Sequence, residues 1–260
     1  MSDTELLGIP LFLLGAILGS FANVVIYRMP RGESVVAPGS HCYACKTPIR
    51  WYHNVPIFAW FFLRGKCAKC GAKFSIRYAI VELVMALLFL WAGLALGPTW
   101  TLIEALIFIF CVVTASVIDI DHMILPDKFT LSGIVIGLVG AALNPERGFW
   151  DAAIGAAAGF GVLWAIAYLY YAFRNREGMG GGDIKLLGWI GAVLGWKAIP
   201  VVILASSLIG SVFGILLALR SKEGMNFAIP FGPYLAGAAL LYLLLGGERI
   251  ANWYLAMHGL

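Results

Sequence analysis

The stretch Gly178-Met-Gly-Gly-Gly-Asp183-Ile-Lys185 places an acid at the start of an apolar segment of only 13 residues, Ile184 to Trp196. As a helix, this segment is about 20 Å long, which is shorter than the ~30 Å hydrocarbon core of a bilayer. A crossing this short draws the glycine loop and Asp183 towards the lipid, where irregular backbone is tolerated only inside protein or beside a water-filled cavity. An ionisable group at that depth is a candidate functional residue and needs a partner.

The best partner available in the sequence is Asp119, which ends an apolar run that begins at Trp100. No lysine or arginine lies near it in the chain, so its ionised form is costly without a special site. Two carboxyl groups in a dry pocket cannot both ionise cheaply, so they hold one proton between them. This state suits peptide hydrolysis, because the ionised acid takes a proton from water while the protonated acid polarises the scissile carbonyl. We therefore predict that Asp119 and Asp183 are catalytic.

The glycine loop before Asp183 meets a second need of a protease. A protease binds its substrate as extended backbone, and residues without side chains let that backbone come close. We therefore assign Gly180, Gly182 and Lys185 to a loop that meets the substrate.

The other polar residues near Asp119 are interpreted differently. Asp127 precedes the helix-forming run Lys128-Phe-Thr-Leu, which is typical of a helix N-cap. Asp121 and His122 are expected to be solvated at the membrane interface.

The composition indicates a membrane protein. Hydrophobic residues make up 61% of the 260 residues and charged residues 12%, whereas a soluble domain has about 25% charged residues. We predict an all-α polytopic protein with about eight transmembrane helices. The apolar runs cover residues 6–27, 79–97, 101–118, 128–143, 149–173, 184–196, 198–219 and 229–246.

The basic residues predict the orientation in the membrane. Nine of the 18 lysines and arginines lie between Arg28 and Arg77, where Glu33 is the only acid. Such a patch can indicate nucleic-acid binding, but beside membrane segments it more often marks the cytoplasmic side. With eight crossings, 15 of the 18 fall on that side, which places the N-terminus outside and both aspartates at the cytoplasmic face.

These assignments divide the chain into four predicted parts. Residues 1–27 form the first transmembrane helix and residues 28–77 a small cytoplasmic domain between helices 1 and 2. Residues 78–247 form a seven-helix protease core in the membrane. Residues 248–260 form a tail that lies in the outer interface, anchored by its aromatic side chains.

Two Cys-x-x-Cys pairs in the cytoplasmic domain predict a structural zinc site. Their spacing suits four thiolates around a tetrahedral ion, and Gly71 follows the second pair where a tight turn benefits from its backbone freedom. Disulfides are the alternative, but they need an oxidising compartment, which the predicted orientation does not provide. Cys111, inside an apolar run, is interpreted as a buried small hydrophobic residue. The predicted ligands are Cys42, Cys45, Cys67 and Cys70.

Two other functions compete with proteolysis. The glycine loop resembles the start of a dinucleotide-binding fingerprint, but its sixth position is Asp183 and no βαβ unit surrounds it, so nucleotide binding is rejected. A proton- or ion-coupled transporter also uses intramembrane acids, to relay protons. From the residues alone, protease and transporter both remain open.

The motifs taken together resemble the type IV prepilin peptidases, membrane aspartic proteases with a GxGD motif. The segment from Gly180 to Leu186 matches the GxGDxKL signature, and Asp119, seven residues before Pro126, matches the first aspartate motif. One departure is Ala79, where the family often has proline. The resemblance covers nearly the whole chain and includes Gly19-Ser-Phe-Ala-Asn23, Trp51-Tyr-His-Asn54-Val-Pro56, Arg64-Gly65-Lys66-Cys67, Arg77-Tyr78 with Glu82, and Pro230-Phe-Gly232-Pro233.

The resemblance implies an activity, partners and a location. The expected activity is cleavage of the short basic leader from prepilins or pseudopilins, as in type IV pilus and type II secretion systems, at the cytoplasmic face of the bacterial inner membrane. It also implies N-methylation of the new N-terminus with S-adenosylmethionine as methyl donor, a role for which we point to Gly65 and Lys66. The expected partners are these substrates and the lipid bilayer, with no nucleic acid.

Overall fold

The computed structural model describes residues 3–176, 178–220 and 229–247. In these ranges the regular structure is helical, and the β pairing consists of two isolated bridges, His41 with Pro48 and Lys66 with Lys73. The predicted all-α class is therefore confirmed. The helices are α1 Asp3–Arg28, α2 Phe58–Phe62, α3 Arg77–Leu96, α4 Trp100–His122, α5 Asp127–Leu143, α6 Phe149–Arg174, α7 Gly181–Leu194, α8 Ala198–Arg220 and α9 Gly232–Leu244.

The helices differ in length in a way that bears on membrane crossing. Five of those described, namely α1, α3, α4, α6 and α8, are long and apolar enough to span a bilayer. The apolar helices α5, α7 and α9 are shorter, with 17, 14 and 13 residues. The chain is thus a polytopic membrane protein, and the short α7 that begins beside Asp183 agrees with the sequence. The predicted tail at 248–260 lies outside the described residues.

The chain forms two compact units, Met1–Leu102 and Ile103–Leu260. In the first unit, α1 packs along α3 with the two backbones close together. A Cβ atom at Gly15 would lie 2.8 Å from the Cα of Ala86, and one at Gly19 would lie 2.7 Å from the Cα of Glu82. Small residues at such crossings let membrane helices approach closely. The polar segment between α1 and α3 carries the four cysteines of the two Cys-x-x-Cys pairs.

In the second unit, α7 occupies the core and packs against α5, α6 and α9. The closest approach is to α6, where a Cβ atom at Gly155 would lie 2.3 Å from the carbonyl oxygen of Gly191. On another side, the ring of Trp189 meets that of Phe108 on α4, with centroids 5.1 Å apart. The helix that carries Asp183 is therefore held by packing on several sides.

A polar cluster joins α4 and α7 at the ends opposite their aspartates. The guanidinium of Arg147 forms an ion pair with Glu104 on α4 and donates to the carbonyl of Ala192 on α7 at 2.6 Å. Asn144 Nδ2 donates to Glu104 Oε1 at 2.9 Å. A mostly buried charge pair of this kind is stable only when its hydrogen bonds are satisfied. The cluster therefore links these ends of α4 and α7 through the connection between α5 and α6.

Candidate active site

Asp119 lies in the last turn of α4 and is 5% exposed. The backbone N–H of Gly232, the first residue of α9, donates a hydrogen bond to its carboxylate. The first N–H groups of a helix have no partner inside the helix and favour an anion. The site at Gly232 is tight, because an added Cβ atom would lie 2.6 Å from Asp119 Oδ2.

Asp183 is the third residue of α7 and is 9% exposed. Its Oδ1 atom is buried and has no hydrogen-bond partner in the described part of the chain. Its carboxyl group interacts electrostatically with that of Asp119. The two predicted acids therefore lie within electrostatic reach of each other in the second unit. Asp119 is near the end of α4 and Asp183 near the start of α7.

Leu125 packs between the two segments that hold these acids. A Cβ atom at Gly182 would lie 2.8 Å from Leu125 Cβ, and one at Gly232 would lie 3.0 Å from Leu125 Cδ1. The backbone of Gly180 accepts a hydrogen bond from the N–H of Asp183 at 3.2 Å and caps α7. Sequence reasoning gave no role to Leu125 or to Gly232, although both lie in motifs that carry the family resemblance.

The N-cap interpretation of Asp127 is wrong. Helix α5 begins at Asp127 with Pro126 as its capping residue, and the Asp127 carboxylate instead binds Lys185 Nζ at 2.6 Å. An N-cap prediction considers only the local chain, and the competing partner lies 58 residues away. Both side chains are partly exposed, so the pair contributes about 1 kcal/mol or less. It nevertheless links the start of α5 to the start of α7, two residues after Asp183. Asp121 and His122 are exposed, as expected.

The four cysteines of the two Cys-x-x-Cys pairs come together in the first unit. Their Sγ atoms all lie within 4.8 Å of one another, which is compact enough to hold one metal ion. Each pair sits on the same kind of turn: Lys46 N–H donates to Cys42 O at 2.8 Å, and Gly71 N–H donates to Cys67 O at 2.9 Å. Gly71 has the left-handed φ of +72° that its residue type favours, and Lys46 adopts φ of +56° at the corresponding position.

Local hydrogen bonds favour the thiolate at two of these cysteines, Cys45 and Cys67, whereas burial and the neighbouring thiols raise the pKa of Cys70 to about 11. Hydrogen bonding to the side chain and backbone of Thr47 lowers the pKa of Cys45 to about 6. Backbone hydrogen bonds at Cys70 and Lys69 also lower the pKa of Cys67. Metal ions bind the deprotonated thiol, so both shifts suit a metal site. The fifth cysteine, Cys111, is remote from the cluster in the sequence and lies on α4.

A cavity of about 130 Å³ lies in the first unit and shares lining residues with a second cavity that Cys42 and Cys67 border. Gly65 lines it with a φ of +64° and packs against the ring of Trp60. Lys66 is exposed and is not among its lining residues. The two residues assigned to methyl transfer are therefore placed differently, and of the two only Gly65 lines this cavity.

Comparison with known families matches both units of the chain. Residues 13–96 match the bacterial peptidase A24 N-terminal domain, and residues 106–215 match the type IV leader peptidase family. The two matches separate close to the boundary between the compact units.

Similar proteins in several bacteria match almost the full length of the chain. The prepilin leader peptidase/N-methyltransferase of Aeromonas hydrophila is 40% identical, over 94% of this chain and 92% of its own. The proteins of the same name from Neisseria gonorrhoeae and Pseudomonas aeruginosa are 38% and 36% identical, over 98% and 95% of this chain and 98% and 93% of their own. No solved structure matches. The identity and coverage of these relatives place the chain in the type IV leader peptidase family.

Proposed function

We propose that this protein is a bacterial leader peptidase that cleaves the leader of prepilins or pseudopilins and then methylates the new N-terminus. The observation that carries the peptidase assignment is the meeting of two buried acids from separate helices, Asp119 and Asp183, beside a glycine loop. Membership of a peptidase family does not support the alternative of a proton- or ion-coupled transporter.

The two acids have different surroundings, which supports different roles. Asp119 receives the Gly232 N–H, a donor that stabilises the ionised form. Asp183 Oδ1 has no donor among the described residues, so it is the better position for the shared proton. Asp119 is thus the general base and Asp183 the acid that faces the scissile carbonyl.

Hydrolysis then proceeds by two proton transfers. Asp119 takes a proton from water as the water oxygen bonds to the carbonyl carbon, and Asp183 gives its proton to the carbonyl oxygen. Collapse of the tetrahedral intermediate breaks the C–N bond, Asp119 passes its proton to the leaving amine, and the hydroxyl returns its proton to Asp183. Gly180 and Gly182 leave room for extended substrate backbone, and Lys185 borders the same loop.

The location of the acids suits a substrate that is itself anchored in the membrane. A pilin precursor can place its apolar helix in the bilayer beside the enzyme, with the leader junction at the cytoplasmic interface. The distribution of basic residues supports an inner-membrane orientation with the N-terminus outside and residues 28–77 in the cytoplasm. In this arrangement the protease core lies in the second unit, which contains both acids, whereas α3 packs with α1 in the first unit.

The direct test is incubation of the purified full chain with a prepilin in detergent or nanodiscs. We expect loss of the leader in the mass spectrum and, with S-adenosylmethionine present, a further gain of one methyl group at the new N-terminus. An intact prepilin after incubation contradicts the peptidase assignment. Cleavage without a methyl gain contradicts only the second activity.

We further propose that the four-cysteine cluster holds a structural zinc ion that staples a segment too small to build its own core. Metal analysis of the purified chain should find about one zinc per chain. Cys42→Ser should lose it, because Cys42 is a buried ligand of the cluster, whereas Cys111→Ser should keep it. Equal zinc in both variants contradicts the site.

The methyl donor that this activity requires is S-adenosylmethionine, and we place its site in the first unit. Gly65 is the residue that supports this placement, since it lines a cavity that adjoins the one bordered by Cys42 and Cys67. Lys66, the next residue, is exposed, so it can contact the substrate or the donor only at the protein surface.

A further inference from the structure

The cavity that Gly65 lines has an unusual arrangement of charge. Between Arg28 and Leu102 the sequence contains two acids, Glu33 and Glu82. Glu33 is exposed, whereas Glu82 is 9% exposed and lines the cavity. Arg28 also lines it and is 4% exposed. One buried acid and one buried base therefore border the same small space.

These two buried charges are not paired with each other. Arg28 donates to the carbonyls of Ser34 and Gly39 at 3.0 and 3.3 Å. Glu82 Oε2 accepts the backbone N–H of Ile57 at 2.6 Å, and Ser20 is its other hydrogen-bond partner. Within the described ranges, neither charge belongs to an ion pair. Buried charges without a counter-ion are costly, so a cavity that keeps both is suited to a ligand that brings both opposite charges.

The aromatic residues that line the cavity favour binding of an organic cation. The aromatic rings of Trp60 and Tyr78 border it together with Glu82. Aromatic faces attract organic cations, and a buried carboxylate strengthens that attraction. Ile57, which donates to Glu82, has a φ of +67°, a strained value for a β-branched residue that the surrounding contacts must maintain.

We propose that this cavity binds the amino-acid end of the methyl donor, with Glu82 and the aromatic rings facing the sulfonium and Arg28 facing the carboxylate. S-adenosylmethionine carries a carboxylate, an α-ammonium and the sulfonium on one short chain, so it brings an anion for Arg28 and a cation for Glu82. The inference rests on the proposed methyl transfer and assigns its binding residues.

A neighbouring cavity provides space for the rest of the donor. It has a volume of about 350 Å³ and shares the lining residues Ile49, His53, Leu63 and Phe74 with the first cavity. Its walls also include Cys42 and Cys67, so this space adjoins the metal cluster. This space would take the nucleoside of the donor when its sulfonium lies against Glu82. Zinc binding would then support methyl transfer by shaping this wall.

The charge on sulfur also explains release of the product. In the transfer, the neutral amine of the pilin bonds to the methyl carbon, the carbon–sulfur bond breaks, and its two electrons stay on sulfur. The methylated amine becomes the cation and the sulfur becomes a neutral thioether. Glu82 therefore loses its counter-ion on sulfur when the reaction is complete.

The test is equilibrium binding to the zinc-loaded full chain by calorimetry, with S-adenosylmethionine and the neutral thioether S-adenosylhomocysteine as probes. Glu82→Gln removes the charge but keeps an acceptor for the Ile57 N–H. This variant should weaken binding of S-adenosylmethionine at least about tenfold more than binding of S-adenosylhomocysteine. That difference is the effect expected for loss of one charge-assisted contact. Glu33→Gln, which removes the exposed acid, should change neither affinity.

Two results would overturn the assignment. One is an equal loss, or no loss, of affinity for the two probes in Glu82→Gln. The other, which needs no variant, comes from ultraviolet cross-linking of labelled S-adenosylmethionine to the wild-type chain. We expect labelled peptides from residues 20–82, and label confined to residues 103–220 contradicts the site. Methyl gain on a prepilin in the same preparation shows that transfer itself occurs, so a failure of this inference is distinguishable from a failure of the proposed activity.

Discussion

Asp119→Asn and Asp183→Asn are each expected to reduce leader cleavage by about 10⁴-fold, the scale seen when one member of a catalytic group is removed. In the proposed mechanism, an asparagine in place of Asp119 cannot accept the proton of water, and an asparagine in place of Asp183 cannot deliver one to the carbonyl oxygen. Because the two acids act as a unit, the double variant should be little worse than either single variant. The measurement is the initial rate of leader loss from a purified prepilin at matched enzyme concentration.

The control for this prediction is Asp121→Asn, which changes an exposed acid on the same helix two residues from Asp119. It should cleave at close to the wild-type rate. Zinc content gives an independent measure that the first unit is intact in all variants. If either Asp119→Asn or Asp183→Asn cleaves as fast as Asp121→Asn, the two-carboxylate mechanism is wrong.

The parts of the site that could be predicted from sequence are those determined by local spacing. The short apolar segment after Asp183 predicts a short helix, and α7 ends at Leu194, two residues before the predicted end. The Cys-x-x-Cys pairs predict a cluster because each pair supplies two ligands from one turn. The charge count predicts which helix ends share a side, and the carboxyl groups of Asp119 and Asp183 are near enough to interact electrostatically.

The parts that could not be predicted depend on contacts between distant segments. Asp127 has the sequence context of an N-cap, but Lys185 competes for its carboxylate across 58 residues. Lys46 adopts a left-handed backbone conformation because the turn after Cys45 requires it, and a lysine gives no indication of this in the sequence. In the sequence, Glu82 is a single polar residue in an apolar helix. Its proposed role in ligand binding depends on the unpaired Arg28 that lines the same cavity. Such pairings follow from packing, which local patterns do not encode.

Gly232→Ala is expected to lower the rate of leader cleavage by about 100-fold, the cost of displacing a reacting group by about 1 Å. The added Cβ atom would lie 2.6 Å from Asp119 Oδ2 and 3.0 Å from Leu125 Cδ1, so the carboxylate or the start of α9 must move. Movement of either one breaks the hydrogen bond from the Gly232 N–H to the general base. The loss should fall on kcat more than on KM, because the carboxylate acts on water and not on the bound leader.

Gly237→Ala on the same helix is the matched control, since a Cβ atom there meets nothing within 4 Å. It should keep the wild-type rate and stabilise α9 slightly, because alanine favours a helix over glycine by about 0.5–1 kcal/mol. The pair of variants separates the steric effect on Asp119 from a general effect of alanine in α9. Equal rates for the two would mean that Gly232 does not hold the general base, and that the N-terminus of α9 contributes to packing alone.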